Sequence, residues 1–130
     1  MAGGGTGGHV LPLLAVAEEL KRRGREVMFI GTKKGIEARL VPLKGFPIEY
    51  MEIGGLKGVG WRRALRSLWL LPLSAIQVAR WLRSMRPAAV FSMGGYVAGP
   101  TVLAALLQRI PVVAMEPNAV PGVTNLRLGR

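Results

Sequence analysis

The amino-acid sequence predicts an α/β fold, a doubly wound parallel sheet with helices on both faces. Three observations carry that expectation. Short apolar runs alternate with helical segments along the whole chain. The glycine-rich turns fall where the chain leaves an apolar run. Half of the 130 residues are hydrophobic, which suits one domain able to bury its own core. Strands separated by helices are joined by right-handed crossovers and lie parallel, so every loop leaving a strand reaches one edge of the sheet, where ligands bind.

The elements follow in order. "GGGTGGHV", residues 3–10, is a glycine loop leading into a helix, "VLPLLAVAEELKRRG", with Leu13, Val16, Ala17 and Leu20 at helical spacing, basic residues in the last turn and Gly24 as a stop. Pro12 is expected in the first turn, where amides have no intrahelical partner to lose. "EVMFIG" reads as a short buried strand, "KKGIEARLVPLKG" as a brief helix ending near Pro42, and "IEYMEI" as a second strand leading into the loop "GGLKGVG". Residues 61–86 read as a long helix bent or split near Pro72. "AAVFSM" is a third strand, "GGYVAGP" its loop, "TVLAALLQR" a helix, "IPVVAM" a fourth strand and "EPNAVPG" the last loop. The informative loops, 3–9, 54–60, 94–100 and 116–122, all belong on the same sheet edge.

Lys and Arg number 18 against 7 Asp and Glu, a formal net charge of +11, which favours an anionic partner: nucleic acid, a phosphorylated small molecule or an acidic lipid surface. Without cysteine there is neither a disulfide nor a thiolate metal site, and the single histidine, His9, cannot make a zinc site by itself. No Asp-x-Asp pair is present to hold a divalent ion, so neither metal nor cofactor is expected. The N-terminus lacks the pattern of a signal peptide, which leaves a cytoplasmic address as the default. Residues 87–108 are uncharged, long enough for a membrane span, but "GGYVAGP" breaks them into strand, loop and helix.

The opening loop puts five glycines, a threonine and His9 into residues 3–10. Glycine lets a ligand approach the backbone, and unpaired amides at a helix start favour an anion by about 0.3–1 kcal/mol, or about 2 when partly buried. Diphosphate is the natural guest, and "GGYVAGP" repeats the device at a second strand end, so two such loops are expected to line one cleft. Gly3, Gly5 and Gly8 also satisfy G-x-G-x-x-G, but the next strand ends in Gly31, Thr32, Lys33 and Lys34 rather than in the acid that holds a ribose diol. NAD is thereby disfavoured. An NADP-binding domain of an oxidoreductase, with the lysines near the extra phosphate, is the alternative.

"GGGTGGHV", "GGYVAGP" and "EPNAVPGVTN" together resemble, in order and spacing, the three N-terminal signatures of the MurG family of bacterial cell-wall glycosyltransferases, and the likeness covers essentially the whole chain. It implies a Rossmann-like domain, residues 1–130, forming the acceptor-side N-terminal half of a two-domain GT-B enzyme. Only Met1 and Ala2 precede the glycines where a strand is expected, and "VTNLRLGR" stops within an expected helix, so the domain reads as incomplete at both ends, without the C-terminal donor domain, inactive alone and marginally stable. The implied reaction moves N-acetylglucosamine from its uridine diphosphate donor to the muramyl sugar of lipid I, an undecaprenyl diphosphate glycolipid, with inversion, giving lipid II for peptidoglycan. Inverting transfer needs a base for the acceptor hydroxyl and groups to stabilise the departing diphosphate. His9 and Glu116 are the candidates for the base. By resemblance Thr6, Gly7, Gly8 and Asn118 contact the sugar nucleotide or its diphosphate, Gly94, Gly95 and Tyr96 the acceptor diphosphate, and Asn125, which follows Thr124, fixes or caps its loop. The third signature departs from the family pattern at Met115, commonly histidine, and Pro117, commonly glutamine.

The remaining charge clusters around "WRRALRSLWLLPLSAIQVARWLRSMRP". Trp61, Leu65, Leu68, Trp69, Leu70, Leu71, Ile76 and Trp81 exceed what one buried face needs, and arginines flank them. Only 13 uncharged residues separate Arg66 from Arg80, too few to span a bilayer. This pattern predicts reversible attachment to an anionic membrane, on the cytoplasmic face of the bacterial cell membrane, where a polyprenyl-linked acceptor resides. Nucleic-acid binding ranks third, because no aromatic-basic RNA signature or zinc-finger spacing accompanies the charge.

Overall fold

The structure, a computed structural model, describes residues 1–52, 61–95 and 97–117, and the side chains of all of these but 61–71. Helices and strands alternate: α1 (Gly7–Arg22), β1 (Phe29–Gly31), α2 (Glu37–Leu43), β2 (Ile48–Tyr50), α3 (Trp61–Met85), β3 (Val90–Ser92), α4 (Ala98–Leu107) and β4 (Val112–Ala114). β1 pairs with β2 and β3 with β4, both in parallel register. Ala2 joins the two pairs, bridging Ile30 on one side and Ser92 on the other, again in parallel. Its N–H donates to the Phe91 carbonyl at 2.8 Å, its own carbonyl accepts from Met93 at 2.9 Å, and Ile30 donates to the Met1 carbonyl at 2.9 Å. The spatial order is therefore β2, β1, Ala2, β3, β4, with the mid-sheet place held by the first two residues.

Adjacent strand residues point to opposite sheet faces, and here both faces are covered. Phe29 joins Val10, Leu13, Leu14 and Ala17 of α1, Val41 of α2 and Phe46 in one buried cluster. The next residue, Ile30, joins Val78 and Leu82 of α3, Ala104 and Ala105 of α4, and Val90 in another. In β3, Val90 belongs to the second cluster and Phe91 packs on the first. This two-sided core is the doubly wound arrangement the alternation predicts.

Several boundaries differ from the sequence expectations. α1 begins at Gly7, inside the glycine run, so His9 lies in its first turn and Pro12 is its sixth residue rather than a first-turn one. The first-turn amides need no helical acceptor, which is why glycines that read as loop can begin a helix. α4 likewise starts at Ala98, within "GGYVAGP", with Pro100 in its first turn, where its missing N–H costs nothing. α2 runs past Pro42 to Leu43, and α3 is continuous through Pro72 rather than split. The strands are trimmed to three paired residues each. The loop at 54–60 and the residues from 118 onward lie outside the described set.

Candidate functional site

All five parallel segments release their chains at one edge, and the glycine loop leaves the central one. Gly3 and Gly4 are buried there; a Cβ at Gly3 would fall 3.0 Å from the Met93 Cβ and one at Gly4 2.5 Å from the Glu37 carboxylate. Gly5 turns with a φ of +91°, a conformation that favours glycine. Thr6 is the extended N-cap of α1, but its hydroxyl lies 2.8 Å from His9 Nδ1 instead of capping an amide. That pairing orients the half-buried imidazole and leaves Nε2 for another partner. Gly7 and Gly8 follow; their N–H groups have no acceptor among the described residues, and a Cβ at Gly7 would meet nothing within 4 Å.

One amide of the loop is occupied. Gly5 N–H donates to Glu37 Oε2 at 3.0 Å, so the run does not offer only bare amides to a ligand, as the sequence suggests; the open donors begin after Gly5. Glu37 escapes the sequence reasoning because it sits in a short helix far along the chain. Its signal is the spacing of Gly31 and Gly35 ahead of it, two positions where a side chain would strike its own.

The turn after β3 lies against this loop. Gly94 and Gly95 both have positive φ, +78° and +80°, and a Cβ on Gly95 would come 3.3 Å from the Gly4 carbonyl oxygen. Gly94 N–H reaches the buried Ser92 hydroxyl at 3.3 Å. Glu116, half-buried, stands two residues beyond β4 on the same edge. From the central segment to β4 is two strand spacings, about 10 Å, so His9 and Glu116 flank the β3 turn. Lys33 and Lys34, both exposed, leave β1 at this edge. Tyr96, Asn118, Thr124 and Asn125 lie outside the described residues.

A family model for the glycosyltransferase family 28 N-terminal domain matches residues 1–130. The chain belongs to this family. Among relatives of the family 28 domain, a UDP-N-acetylglucosamine--N-acetylmuramyl-(pentapeptide) pyrophosphoryl-undecaprenol N-acetylglucosamine transferase of Solibacter usitatus is 57% identical over the full chain, which covers 36% of that protein. A protein of the same name from Methylococcus capsulatus is 46% identical over 98% of the chain, again 36% of its own length. The crystal structure of Acinetobacter baumannii MurG superposes with a TM-score of 0.85 at 38% identity, over 98% of this chain and 37% of that one. The family 28 domain thus spans about a third of the relatives it matches. These likenesses favour glycosyl transfer over the dinucleotide and nucleic-acid alternatives, and the doubly wound fold agrees with them.

The long helix is divided between core and surface. Val78 and Leu82 of α3 are buried against α4, and Trp81, expected at the membrane, is half-buried on that same cluster with part of its ring left at the surface. Leu73 and Ile76 are exposed, at 61% and 51%. The side chains of Trp61, Leu65, Leu68 and Trp69 lie outside the described set. Among the described residues no helix is long and apolar enough to cross a membrane.

Proposed function

We propose that this domain is the acceptor-side half of an inverting transferase that moves N-acetylglucosamine from UDP-N-acetylglucosamine to the muramyl sugar of an undecaprenyl-diphosphate-linked acceptor. The observation that carries the proposal is the contact of two glycine turns, Gly95 against the Gly4 carbonyl, beside the Thr6–His9 pair. In the reaction the acceptor hydroxyl oxygen attacks the anomeric carbon as a base removes its proton, and the bond to the β-phosphate oxygen breaks with its electron pair leaving on UDP. His9 is the base when Nδ1–H donates to Thr6, because Nε2 then carries the lone pair; Glu116, across the β3 turn, is the other candidate. Open amides at Gly7 and Gly8 suit the charge that develops on diphosphate. Gly94, Gly95 and Tyr96 are assigned to the acceptor diphosphate, Asn118 to the donor and Asn125 to fixing its loop.

A longer enzyme supplies the remaining donor contacts, and the domain sits at the cytoplasmic face of the cell membrane through α3, whose Leu73 and Ile76 are exposed near Arg80 and Arg83. His9→Ala in the full-length transferase carrying this domain is the deciding experiment. The expected result is a fall in kcat of about 10²–10⁴ with a much smaller change in KM. An unchanged kcat removes His9 from the chemistry.

A further inference from the structure

A carboxylate lies beneath the glycine loop that the reaction above does not use. Glu37, in the first turn of α2, is 1% exposed. Its partners among the described residues are neutral donors: Gly5 N–H on Oε2, and the N–H and hydroxyl of Thr32 on Oε1, each at 3.0 Å. The ion pairs found among those residues involve Glu18 and Glu19 instead. A buried acid without a countercharge persists only where hydrogen bonds replace its hydration, and here three donors meet its two oxygens. The backbone around it is cut to admit it. A Cβ at Gly4 would lie 2.5 Å from Oε1, one at Gly31 2.6 Å from Cγ, and one at Gly35 would overlap the carboxylate.

We infer that Glu37 is a positioning residue, which presets the glycine loop for diphosphate and for His9 by holding Gly5 N–H inward. The inference rests on the transfer proposal for its catalytic consequence. Gly5 is the residue with positive φ that turns the chain into α1. With its amide fixed on one side and Thr32 held by the same carboxylate on the other, the orientation of Thr6 is set, and Thr6 in turn meets His9 Nδ1 at 2.8 Å. The open amides of Gly7 and Gly8 begin at the next residue. A loop fixed before substrate arrives needs no reorganisation as charge develops on the leaving group. The choice of a carboxylate follows from the need for one group to accept from two backbone amides facing it from different segments; a carboxamide has a single acceptor oxygen and would turn its NH2 toward one of them.

Two measurements test this. In the unaltered chain, amide hydrogen exchange by NMR is expected to show Gly5 at least tenfold more protected than Gly7 and Gly8; Gly5 exchanging as fast as they do overturns the inference without recourse to any variant. In the full-length transferase, Glu37→Gln is compared with Val41→Ala, a change at a fully buried α2 position away from the loop. Glu37→Gln is expected to lower kcat/KM at least tenfold, mainly through kcat, with Glu37→Asp recovering part of the loss. Val41→Ala is expected to stay within twofold of the parent. Equal losses from both variants, or a folded Glu37→Gln enzyme within twofold of the parent, would sink the inference. Absence of transfer by the parent enzyme counts against the transfer proposal alone, since Gly5 protection is read independently of turnover.

Discussion

At the scale of single residues, the glycines of the loop divide by what surrounds them. Gly3, Gly4 and Gly95 are demanded by the fold, because a Cβ there would press on Met93, on Glu37 or on the Gly4 carbonyl. Gly7 is not, since its Cβ position is empty and it already lies in α1. The two kinds of glycine therefore predict opposite outcomes. Gly95→Ala places a side chain at a φ of +80° and is expected to cost about 1–2 kcal/mol in denaturant unfolding. Gly7→Ala is expected to leave stability unchanged or raise it by up to about 1 kcal/mol, yet to reduce transfer in the full-length enzyme, because the methyl group would occupy the approach to the open amides. A Gly7→Ala enzyme with full activity would show that no ligand uses that space. The sequence marks the run as glycine-rich but cannot sort its members, because the sorting depends on Met93 and Glu37, which only the fold brings alongside. Glu37 was illegible for the same reason, as its partners are 5 and 32 residues away in the chain.

At the scale of elements, the inner strands were legible because both faces of the sheet are covered there, so that neighbours such as Phe29 and Ile30 are both buried and β1 reads as a solid apolar run. Helix starts were not, since glycine and proline signal a loop in sequence while a first turn tolerates both. The candidate site followed the same pattern: among the described residues the loops after the central segment and after β3 leave one edge and meet, as expected of two loops lining one cleft, whereas the carboxylate of Glu37 beneath them was not readable. The apolar excess of α3 has two destinations, which sequence composition merges. Leu82 is buried against α4, and Leu82→Ala is expected to cost about 2–5 kcal/mol. Leu73→Ser with Ile76→Ser should alter stability by no more than about 0.5 kcal/mol per site, because both are exposed. If this face inserts into lipid, where each leucine-sized side chain contributes about 1.5–3 kcal/mol when fully buried, the pair should weaken binding to anionic vesicles at least tenfold. Unchanged vesicle binding would assign the attachment to another part of the molecule.

At the scale of the whole molecule, Met1 and Ala2 lie in the middle of the sheet, and in a chain that carries its amino group at Met1 the charge there has a consequence for folding. The Met1 amino group donates to the Met28 carbonyl at 2.6 Å, and burial lowers its pKa from 8.0 to about 5. The strand expected ahead of the glycine loop is a mid-sheet one in a doubly wound fold, and Met1 and Ala2 hold that place. Burial disfavours the charged form of an amine, so between pH 5 and 8 the unfolded chain carries a proton that the folded chain does not. Stability must then rise with pH across that window and is highest above it; acidification from pH 8 to 5 lowers it progressively. Three pH units at about 1.4 kcal/mol each set an upper bound of about 4 kcal/mol on the change. Urea unfolding of the chain at several pH values measures the slope directly. Adding residues ahead of Met1 replaces the amine by an uncharged peptide N–H that can make the same bond, and this variant is expected to lose the pH dependence between 5 and 8 while keeping the high-pH stability. A slope that survives the extension would place the titrating group elsewhere and leave the centre of the sheet indifferent to the charge on Met1.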